Sequence, residues 1–199
     1  MDCKDRTIEH ILSPAFYDDI CTLSRNEMEY TRFQNKTVLI TGAAGLIGKY
    51  LVLSLLCAND LFDCHISVIA LVHSKSKAYN IFGDAVNRED IHIIEADVCH
   101  LPSDLPKADF IVHAASPASA IQYRENPVGT FTTNTVGTYS ILEYARLNHC
   151  ESIVCCSSLK IYGQFSDKQQ LLSEESNGIL DFTNYLNCYA EGKRATEML

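Results

Sequence analysis

The sequence lacks several features that would define its class directly. Its nine cysteines form no Cys-x-x-Cys pair, and several lie in apolar runs such as "SIVCCSS", which argues against a zinc clip or a thioredoxin-like site. Residues 1–12 are charged and contain no apolar core, so the sequence predicts no secretion signal and a cytoplasmic protein with reduced cysteines. The most apolar stretch, residues 38–58, includes three glycines and Lys49, and this predicts a buried strand, a turn and a helix rather than a membrane span.

A broad positive surface is also missing. The 199 residues include 25 acidic and 16 basic side chains, which gives a formal net charge of -9. A chain this acidic is not expected to bind nucleic acid through a basic face. The histidines show no metal-ligand spacing, so no metal site is expected, and we interpret His113 as a structural residue at the end of a strand. The hydrophobic content of 47% is enough for one domain with a core.

The chain divides into two regions by pattern. Residues 1–34 have helical spacing of apolar residues interrupted by Pro14, which predicts an appendage of two short helices. From residue 35 to residue 199, β-branched runs alternate with stretches of helical length, and this predicts an α/β fold with a doubly wound parallel sheet, Rossmann-like. One of these stretches, residues 127–148, is predicted to be a single long helix containing two glycines. The predicted strands read KTVLI, HISVIALV, IHIIEA, ADFIVHAA and ESIVCCSS.

A glycine-rich turn joins the first predicted strand to the first helix of the sheet region. The stretch "VLITGAAGLIGKYL" carries Gly42, Gly45 and Gly48. Glycine permits a tight turn and a close approach of backbone to ligand, and the helix N-terminus offers free N–H groups to a pyrophosphate. A plain strand-to-helix turn would use glycine for its shape alone, but the position after the first parallel strand favours dinucleotide binding.

The last predicted helix carries a tyrosine and a lysine on one face. Tyr189 and Lys193 are four residues apart in "NCYAEGKRATEML", which places them one turn from each other. An ammonium beside a phenol stabilises the phenolate, so Tyr189 is a candidate general base.

These motifs together resemble a known family. The Gly-x-x-Gly-x-x-Gly spacing and the Tyr-x-x-x-Lys pair are similar to those of the short-chain dehydrogenase/reductase superfamily, in particular its extended branch of NAD-dependent epimerases and dehydratases acting on nucleotide sugars. Further segments match in the expected order, so that the resemblance covers about residues 36–199. They are "EADV" with Asp97 and Val98, "HAAS" at residues 113–116, "NTVGTYSILEYA" starting at Asn134, and "SSLKIYG" at residues 157–163.

The resemblance implies a site. Tyr189 would be the base for hydride transfer between a sugar carbon and nicotinamide, Lys193 would assist it and bind the nicotinamide ribose, and Ser158 would hydrogen-bond the reacting oxygen. The residues implied in cofactor binding are Gly42, Ala43, Ala44, Gly45, Leu46, Ile47, Gly48, His73, Asp97, Val98, Ala114, Ala115, Ser116, Asn134, Tyr189 and Lys193.

The choice between NAD and NADP stays open at this point. A carboxylate at the end of the second strand would favour NAD, but Val72 and His73 stand there. The following Ser74, Lys75 and Lys77 could accept a 2′-phosphate, or they could be a solvated helix start. The habit of the family favours NAD, whereas the local chemistry favours NADP.

The expected substrate is a nucleotide sugar, and an epimerase-type reaction is favoured. Dehydratases and decarboxylases of the resembling branch usually carry a carboxylate where this chain has Lys160, and lysine does not replace a carboxylate base at neutral pH. Two alternatives remain: 4,6-dehydratase or decarboxylase chemistry, and a catalytically inactive dinucleotide-binding module.

The resemblance also implies residues beyond this chain. Members of the branch continue for on the order of a hundred residues that form a C-terminal substrate domain, so we expect this chain to be the N-terminal, cofactor-binding portion of a longer enzyme, with little turnover alone. An unfinished sheet would leave an open edge and an exposed apolar face. Homodimerisation of the full-length protein through the "TYSILEYA" helix is implied by the resemblance only.

Overall fold

The structure of the protein is a computed structural model that describes residue 8 and residues 12–25, 30–117, 119–165 and 171–199. At its centre is a parallel sheet whose strands are β1 Thr37–Thr41, β2 Ser67–Val72, β3 Ile91–Glu95, β4 Phe110–His113 and β5 Ser152–Cys155. Their order across the sheet is β3-β2-β1-β4-β5.

Helices connect the strands and flank the sheet. The α-helices are α1 Pro14–Arg25, α2 Leu46–Phe62, α3 Lys75–Phe82, α4 Ala120–Glu125, α5 Pro127–Thr132, α6 Thr138–Asn148 and α7 Cys188–Met198. Short 3-10 turns occur at Tyr30–Phe33, Gly83–Asn87, Leu159–Tyr162 and Tyr185–Asn187, and a π-helical turn covers Thr133–Gly137. Within the described ranges, no helix is long and apolar enough to cross a membrane.

Each face of the sheet is buried in its own apolar core. Val38 and Ile40 of β1 belong to the core that includes α2, whereas Leu39 between them belongs to the core that includes Ile141 of α6. Alternate residues of a strand point to opposite faces, so a sheet covered on both sides needs apolar residues at nearly every position. This arrangement confirms the predicted α/β fold with a Rossmann-like parallel sheet.

The amino-terminal region packs on the sheet region. Ile20 and Cys21 of α1 lie in the same core as α2, and the Phe16 ring meets the Tyr50 ring edge to face at a centroid distance of 5.1 Å. A helix boundary falls at Pro14, as the pattern predicted, since Leu12 and Ser13 before it are not helical. Pro14 is the first residue of α1, a position where the missing N–H of proline costs nothing. The rest of the predicted first helix lies mainly outside the described residues.

The long predicted helix at residues 127–148 is confirmed, since every residue from Pro127 to Asn148 is helical. It contains a π-helical turn, Thr133–Gly137, between α5 and α6, which the sequence did not predict. Its Asn134 carbonyl accepts hydrogen bonds from the hydroxyls of Thr138, at 2.7 Å, and Thr196, at 2.8 Å. Single π-turns occur often at functional sites, and this one faces α7, the helix that carries Tyr189.

Candidate active site

A cavity of about 640 Å³ opens at the carboxyl edge of the sheet. Its walls come from the glycine turn after β1, the residues after β2, the segment after β3, the segment after β4, and helices α4 and α5. Ligands of parallel α/β sheets bind where strands end and neighbouring connections diverge, and this volume is in the usual range for small-molecule sites.

The glycine turn forms one wall with its backbone. Gly42 has a positive φ of 65°, and a Cβ there would lie 2.8 Å from the backbone of Ala114 and Ala115. Gly48 packs even more tightly, since a Cβ there would lie 2.3 Å from the Gly42 carbonyl oxygen. No side chain caps the start of α2, where Gly45 is the N-cap residue, so the first amides of this helix are available to an anion.

The second wall lies at the ends of β2 and β3. His73, Ser74 and Lys77 line the cavity there, and Asp97 lies across from them. The Asp97 carboxylate accepts a hydrogen bond from the Cys99 amide at 2.9 Å, and this bond is the largest cause of the lowered pKa of Asp97. Glu95 accepts from the Lys75 amide at 2.6 Å, so the start of α3 already holds one carboxylate.

A buried polar network connects the glycine turn to α7. His113 Nδ1 lies 2.8 Å from the hydroxyl of Thr41, which itself accepts from the Ala115 amide at 3.1 Å. His113 Nε2 lies 3.3 Å from the hydroxyl of Thr138, and that hydroxyl lies 3.3 Å from the Thr196 hydroxyl on α7. All of these side chains are buried.

His113 is held neutral by this environment. Burial, and then the nearby Lys193 ammonium, lowers the pKa of His113 from 6.5 to about 4. Because the Thr138 hydroxyl donates to the Asn134 carbonyl, it is an acceptor toward the imidazole. We therefore assign the proton to Nε2, with Nδ1 accepting from the Thr41 hydroxyl. His113 is therefore a neutral imidazole that connects Thr41 to Thr138 through hydrogen bonds.

Two cations attach α7 to the segment after β5. Lys193 is only 3% exposed, and its ammonium donates to the Cys156 carbonyl at 2.6 Å. Arg194 Nε donates to the Ile161 carbonyl, also at 2.6 Å. Burial lowers the pKa of Lys193 below its ordinary value of 10.5, while Cys156 and Cys155 oppose the change.

The ring of Tyr189 is stacked on a second tyrosine. The Tyr123 ring of α4 lies parallel to it, with centroids 4.6 Å apart and an interplanar angle of 16°. The thiol of Cys188 also contacts the Tyr123 carbonyl at 3.9 Å. Burial raises the pKa of Tyr123, and the Tyr189 phenol adds to this. The start of α7 is therefore positioned by α4, which also contributes Gln122 and Glu125 to the cavity wall.

Ser158 ends the extended segment that follows β5. Its hydroxyl accepts a hydrogen bond from the Lys160 amide at 3.2 Å and caps the turn Leu159–Tyr162. This turn and α7 are joined by the Arg194 bond to Ile161, so Ser158 belongs to the same packed unit as the helix that carries Tyr189.

The predicted site residues fall into three groups. Around the cavity the structure brings together Gly42, Ala44, Gly45, His73, Asp97, Val98, Ala114, Ala115 and Ser116. Behind the cavity wall lie Ala43, Gly48 and Asn134, all buried, with the Asn134 side chain accepting from the Ser116 hydroxyl at 2.8 Å. Away from the cavity are the exposed side chains of Leu46 and Ile47 and the unit of Ser158, Tyr189 and Lys193.

Sequence reasoning missed two features of the site. The first is Tyr123, which has no motif of its own and meets Tyr189 only through tertiary packing. The second is Thr130 on α5, which lines the cavity. Among the described residues, its hydroxyl is the only buried side-chain N or O atom without a hydrogen-bond partner. An orphaned buried hydroxyl at a cavity wall is consistent with a ligand that completes its bonding.

A second cavity, of about 610 Å³, lies on the face of the sheet that α1 and α2 cover. Its lining is almost wholly apolar and includes Leu46, Ile47, Phe110 and the 60% exposed Val154 of the edge strand β5. None of Gly42, Ala44 and Gly45 of the glycine turn lines it, whereas all three line the polar cavity, so the polar cavity is the candidate site.

Comparison with protein families and curated proteins agrees with this geometry. Residues 38–199 match the model of a family described as the NAD dependent epimerase/dehydratase family. A UDP-glucuronic acid decarboxylase 1 of Xenopus tropicalis is 32% identical over 82% of this chain and 36% of its own length. UDP-glucuronic acid decarboxylase 6 of Arabidopsis thaliana is 32% identical over 83% of this chain and 45% of its own. The chain thus spans less than half the length of these relatives.

Solved structures share the fold. A UDP-N-acetylglucosamine 4-epimerase from Methanobrevibacter ruminantium superposes with a TM-score of 0.65 at 22% identity, over 83% of this chain and 49% of that one. A dTDP-glucose 4,6-dehydratase from Bacillus anthracis in complex with NAD gives a TM-score of 0.62 at 18% identity, over 82% of this chain and 48% of that one.

Proposed function

Because the chain belongs to the NAD dependent epimerase/dehydratase family, we propose that it binds a nicotinamide dinucleotide and takes part in hydride transfer with a nucleotide-linked sugar. We favour NAD as the cofactor, because the family is described as NAD dependent. NADP is the alternative, because polar side chains line the cavity at its His73 end. The observation that carries the proposal is the glycine turn, whose backbone forms the wall of a cavity that also holds an orphaned hydroxyl at Thr130.

The residues present fit a dinucleotide. The missing Cβ at Gly42 lets the turn close against Ala114 and Ala115, and the missing Cβ at Gly48 lets α2 pack against Gly42 and Ala43. The amides at the start of α2 are left for a diphosphate. Asp97 and His73 would lie beside the adenosine, and Ser116 and Thr130 toward the other end. When bound, the cofactor would accept a hydride from the sugar carbon and return it.

The chain's own residues would move the proton. Tyr189 would accept the proton of the reacting hydroxyl as the hydride leaves the same carbon, and it would return that proton in the reverse step. The buried Lys193 ammonium, one turn away, would stabilise the phenolate. Ser158 would hydrogen-bond the reacting oxygen. An epimerase-type reaction needs no further acid or base, because oxidation followed by return of the hydride to the other face inverts the carbon.

A second candidate is decarboxylation of a nucleotide-linked sugar acid. The curated relatives at 30–32% identity are named UDP-glucuronic acid decarboxylases, and this favours a sugar acid as substrate. Lys160, where a carboxylate would be expected for that chemistry, argues against loss of CO₂ and leaves epimerisation as the proposal we favour.

Removal of the phenol oxygen of Tyr189 tests whether this residue is the base. In the complete enzyme, of which this chain is expected to be the cofactor-binding portion, we expect Tyr189→Phe to lower turnover of the nucleotide sugar by about a hundredfold or more, while NAD(P)H binding, measured by its fluorescence, stays within about twofold. The matched control is Tyr139→Phe, since Tyr139 is 55% exposed on α6. Product mass separates the two reactions, because only decarboxylation removes CO₂. Unchanged turnover in Tyr189→Phe would refute the assigned base, and loss of cofactor affinity would make it a binding residue instead.

A further inference from the structure

The end of β2 lacks the acidic residue that often distinguishes NAD from NADP in parallel α/β sheets. A carboxylate at that point hydrogen-bonds the ribose hydroxyls of NAD, and its charge repels the additional 2′-phosphate of NADP. Here β2 ends at Val72, and His73 follows it. Because the next four residues, 74–77, are serines and lysines, the sequence leaves the choice of cofactor open.

The neighbouring strand brings a carboxylate to the same place. Glu95 is the last residue of β3 and is paired in register with Val72, the last residue of β2. Its carboxylate accepts a hydrogen bond at 2.6 Å from the amide of Lys75, the first residue of α3. Val72 and Ala96, which adjoin Glu95 in the sheet and in the sequence, both line the polar cavity. Strand register therefore places this negative charge at the His73 end of the cavity.

Several groups that the sequence offers to a phosphate are bonded within the protein. The Ser74 hydroxyl accepts from the Lys77 amide at 3.3 Å, and the Lys75 amide donates to Glu95. Two amides at the start of α3 are thus satisfied by the chain itself rather than left for an anion. The segment also carries the ammonium groups of Lys75 and Lys77, but Glu95 and the cavity-lining Asp97 bring an equal number of carboxylates. This end of the cavity is therefore not the basic pocket that the sequence indicates.

We propose that Glu95 makes this site selective for NAD over NADP, in place of the carboxylate that is absent from the end of β2. This inference rests on the proposed function, because it concerns the same cofactor cavity. A carboxylate fixed at the start of α3 repels a phosphate on the adenosine half of a dinucleotide and does not repel a ribose hydroxyl. Selectivity then comes from β3 rather than from β2, through strand register and one backbone amide.

Two ligands that differ only by the 2′-phosphate test the inference. The affinities for NADH and NADPH are measured by fluorescence titration of the unsubstituted protein and of Glu95→Gln. Glutamine keeps an oxygen that accepts from the Lys75 amide but carries no charge. We expect the unsubstituted protein to bind NADH about tenfold more tightly than NADPH, and Glu95→Gln to bind the two about equally, mainly through tighter binding of NADPH. Glu95→Lys should reverse the preference.

Glu89→Gln is the matched control, because it removes the same charge from an exposed side chain that precedes β3, at the opposite edge of the sheet. Its ratio of affinities should equal that of the unsubstituted protein. An equal change of both affinities in Glu95→Gln would overturn the inference, since Glu95 would then only support the start of α3. An unchanged ratio, or a preference of the unsubstituted protein for NADPH, would overturn it as well. If the unsubstituted protein, folded by circular dichroism, bound neither dinucleotide, the proposed function would be wrong and the inference with it, and this outcome is distinct from the others.

Discussion

The two sides of the candidate site are built in different ways. The cofactor side, β1 with the glycine turn and the start of α2, is continuous in sequence and uses backbone atoms. The base side, α7 with the segment after β5, uses side chains from distant parts of the chain: Lys193 contacts Cys156, and Thr196 reaches Asn134, 62 positions away. The difference teaches that the cofactor side tolerates almost no added atom, whereas the base side depends on a set of separate contacts that can be removed one at a time.

The largest effect is expected on the cofactor side. The Cβ of Gly48→Ala would lie 2.3 Å from the Gly42 carbonyl oxygen and 2.7 Å from the Ala43 Cα. Relief requires a shift of the backbone that forms the cavity wall, at a cost of about 3 kcal/mol, or about a hundredfold in NAD affinity. The measurement is NADH fluorescence titration together with urea unfolding.

Gly45→Ala sharpens this prediction. Its Cβ would meet the same oxygen at 3.0 Å, a contact that a small adjustment relieves. We expect a clearly smaller loss than for Gly48→Ala. If the two variants had equal affinity for NAD, close packing of the turn would not be what shapes the cavity wall.

The second effect concerns how the free energy of unfolding depends on pH through His113, whose hydrogen bonds connect the two sides. The folded protein keeps His113 neutral down to about pH 4, whereas the unfolded chain protonates it near 6.5. The unfolded state therefore binds more protons in this window, and stability is lost as pH falls from 6.5 to 4, by up to about 3 kcal/mol. Urea unfolding between pH 7 and pH 4 should show a flatter dependence in His113→Gln.

His92→Gln is the control for this experiment, because the side chain of His92, on the edge strand β3, is exposed. Its pH dependence should match that of the unsubstituted protein. If His113→Gln and the unsubstituted protein lose stability in parallel on acidification, then His113 is not the group whose neutrality the fold requires.

The smallest effect is expected at the stack on the base side. Tyr123→Leu removes the ring that lies 4.6 Å from that of Tyr189, and we expect it to lower the free energy of unfolding by about 1 kcal/mol. Tyr123→Phe keeps the ring and should be nearly neutral. A double-mutant cycle with Tyr189→Leu isolates the pair, for which we expect a coupling of about 0.5–1.5 kcal/mol.

The outcome of this cycle decides whether the two tyrosines act together. A coupling energy near zero would mean that Tyr123 does not position the phenol of the candidate base. Tyr139→Leu, on the exposed face of α6, shows what loss of an unstacked tyrosine costs and provides the baseline.

The sequence predicted the local units of the fold well. The ends of the five strands lie within three residues of the ends of the runs that predicted them, and the glycine turn stands between β1 and α2 as expected. These units are decided by residues close together in the chain, since β-branched runs, glycines and a following apolar helix suffice to specify a strand, a turn and a helix.

Features that depend on contacts between residues far apart in the chain were less predictable from the sequence. The helix at residues 127–148 forms as predicted, but the sequence did not predict the π-helical turn inside it at Thr133–Gly137. At this turn, the Asn134 carbonyl finds partners in the hydroxyls of Thr138 and Thr196. No local pattern reveals that a hydroxyl from α7 will be available there.

By itself, then, the sequence determined the class of sheet, the glycine turn after β1 and the placement of Tyr189 and Lys193 one turn apart on one helix, because each depends on neighbours within a few residues. Tertiary structure alone decided the strand order, the stack of Tyr123 on Tyr189, and the burial of Lys193 against Cys156. These depend on which surfaces meet when the chain closes on itself, and the energy of such contacts is shared among residues that no short pattern brings together.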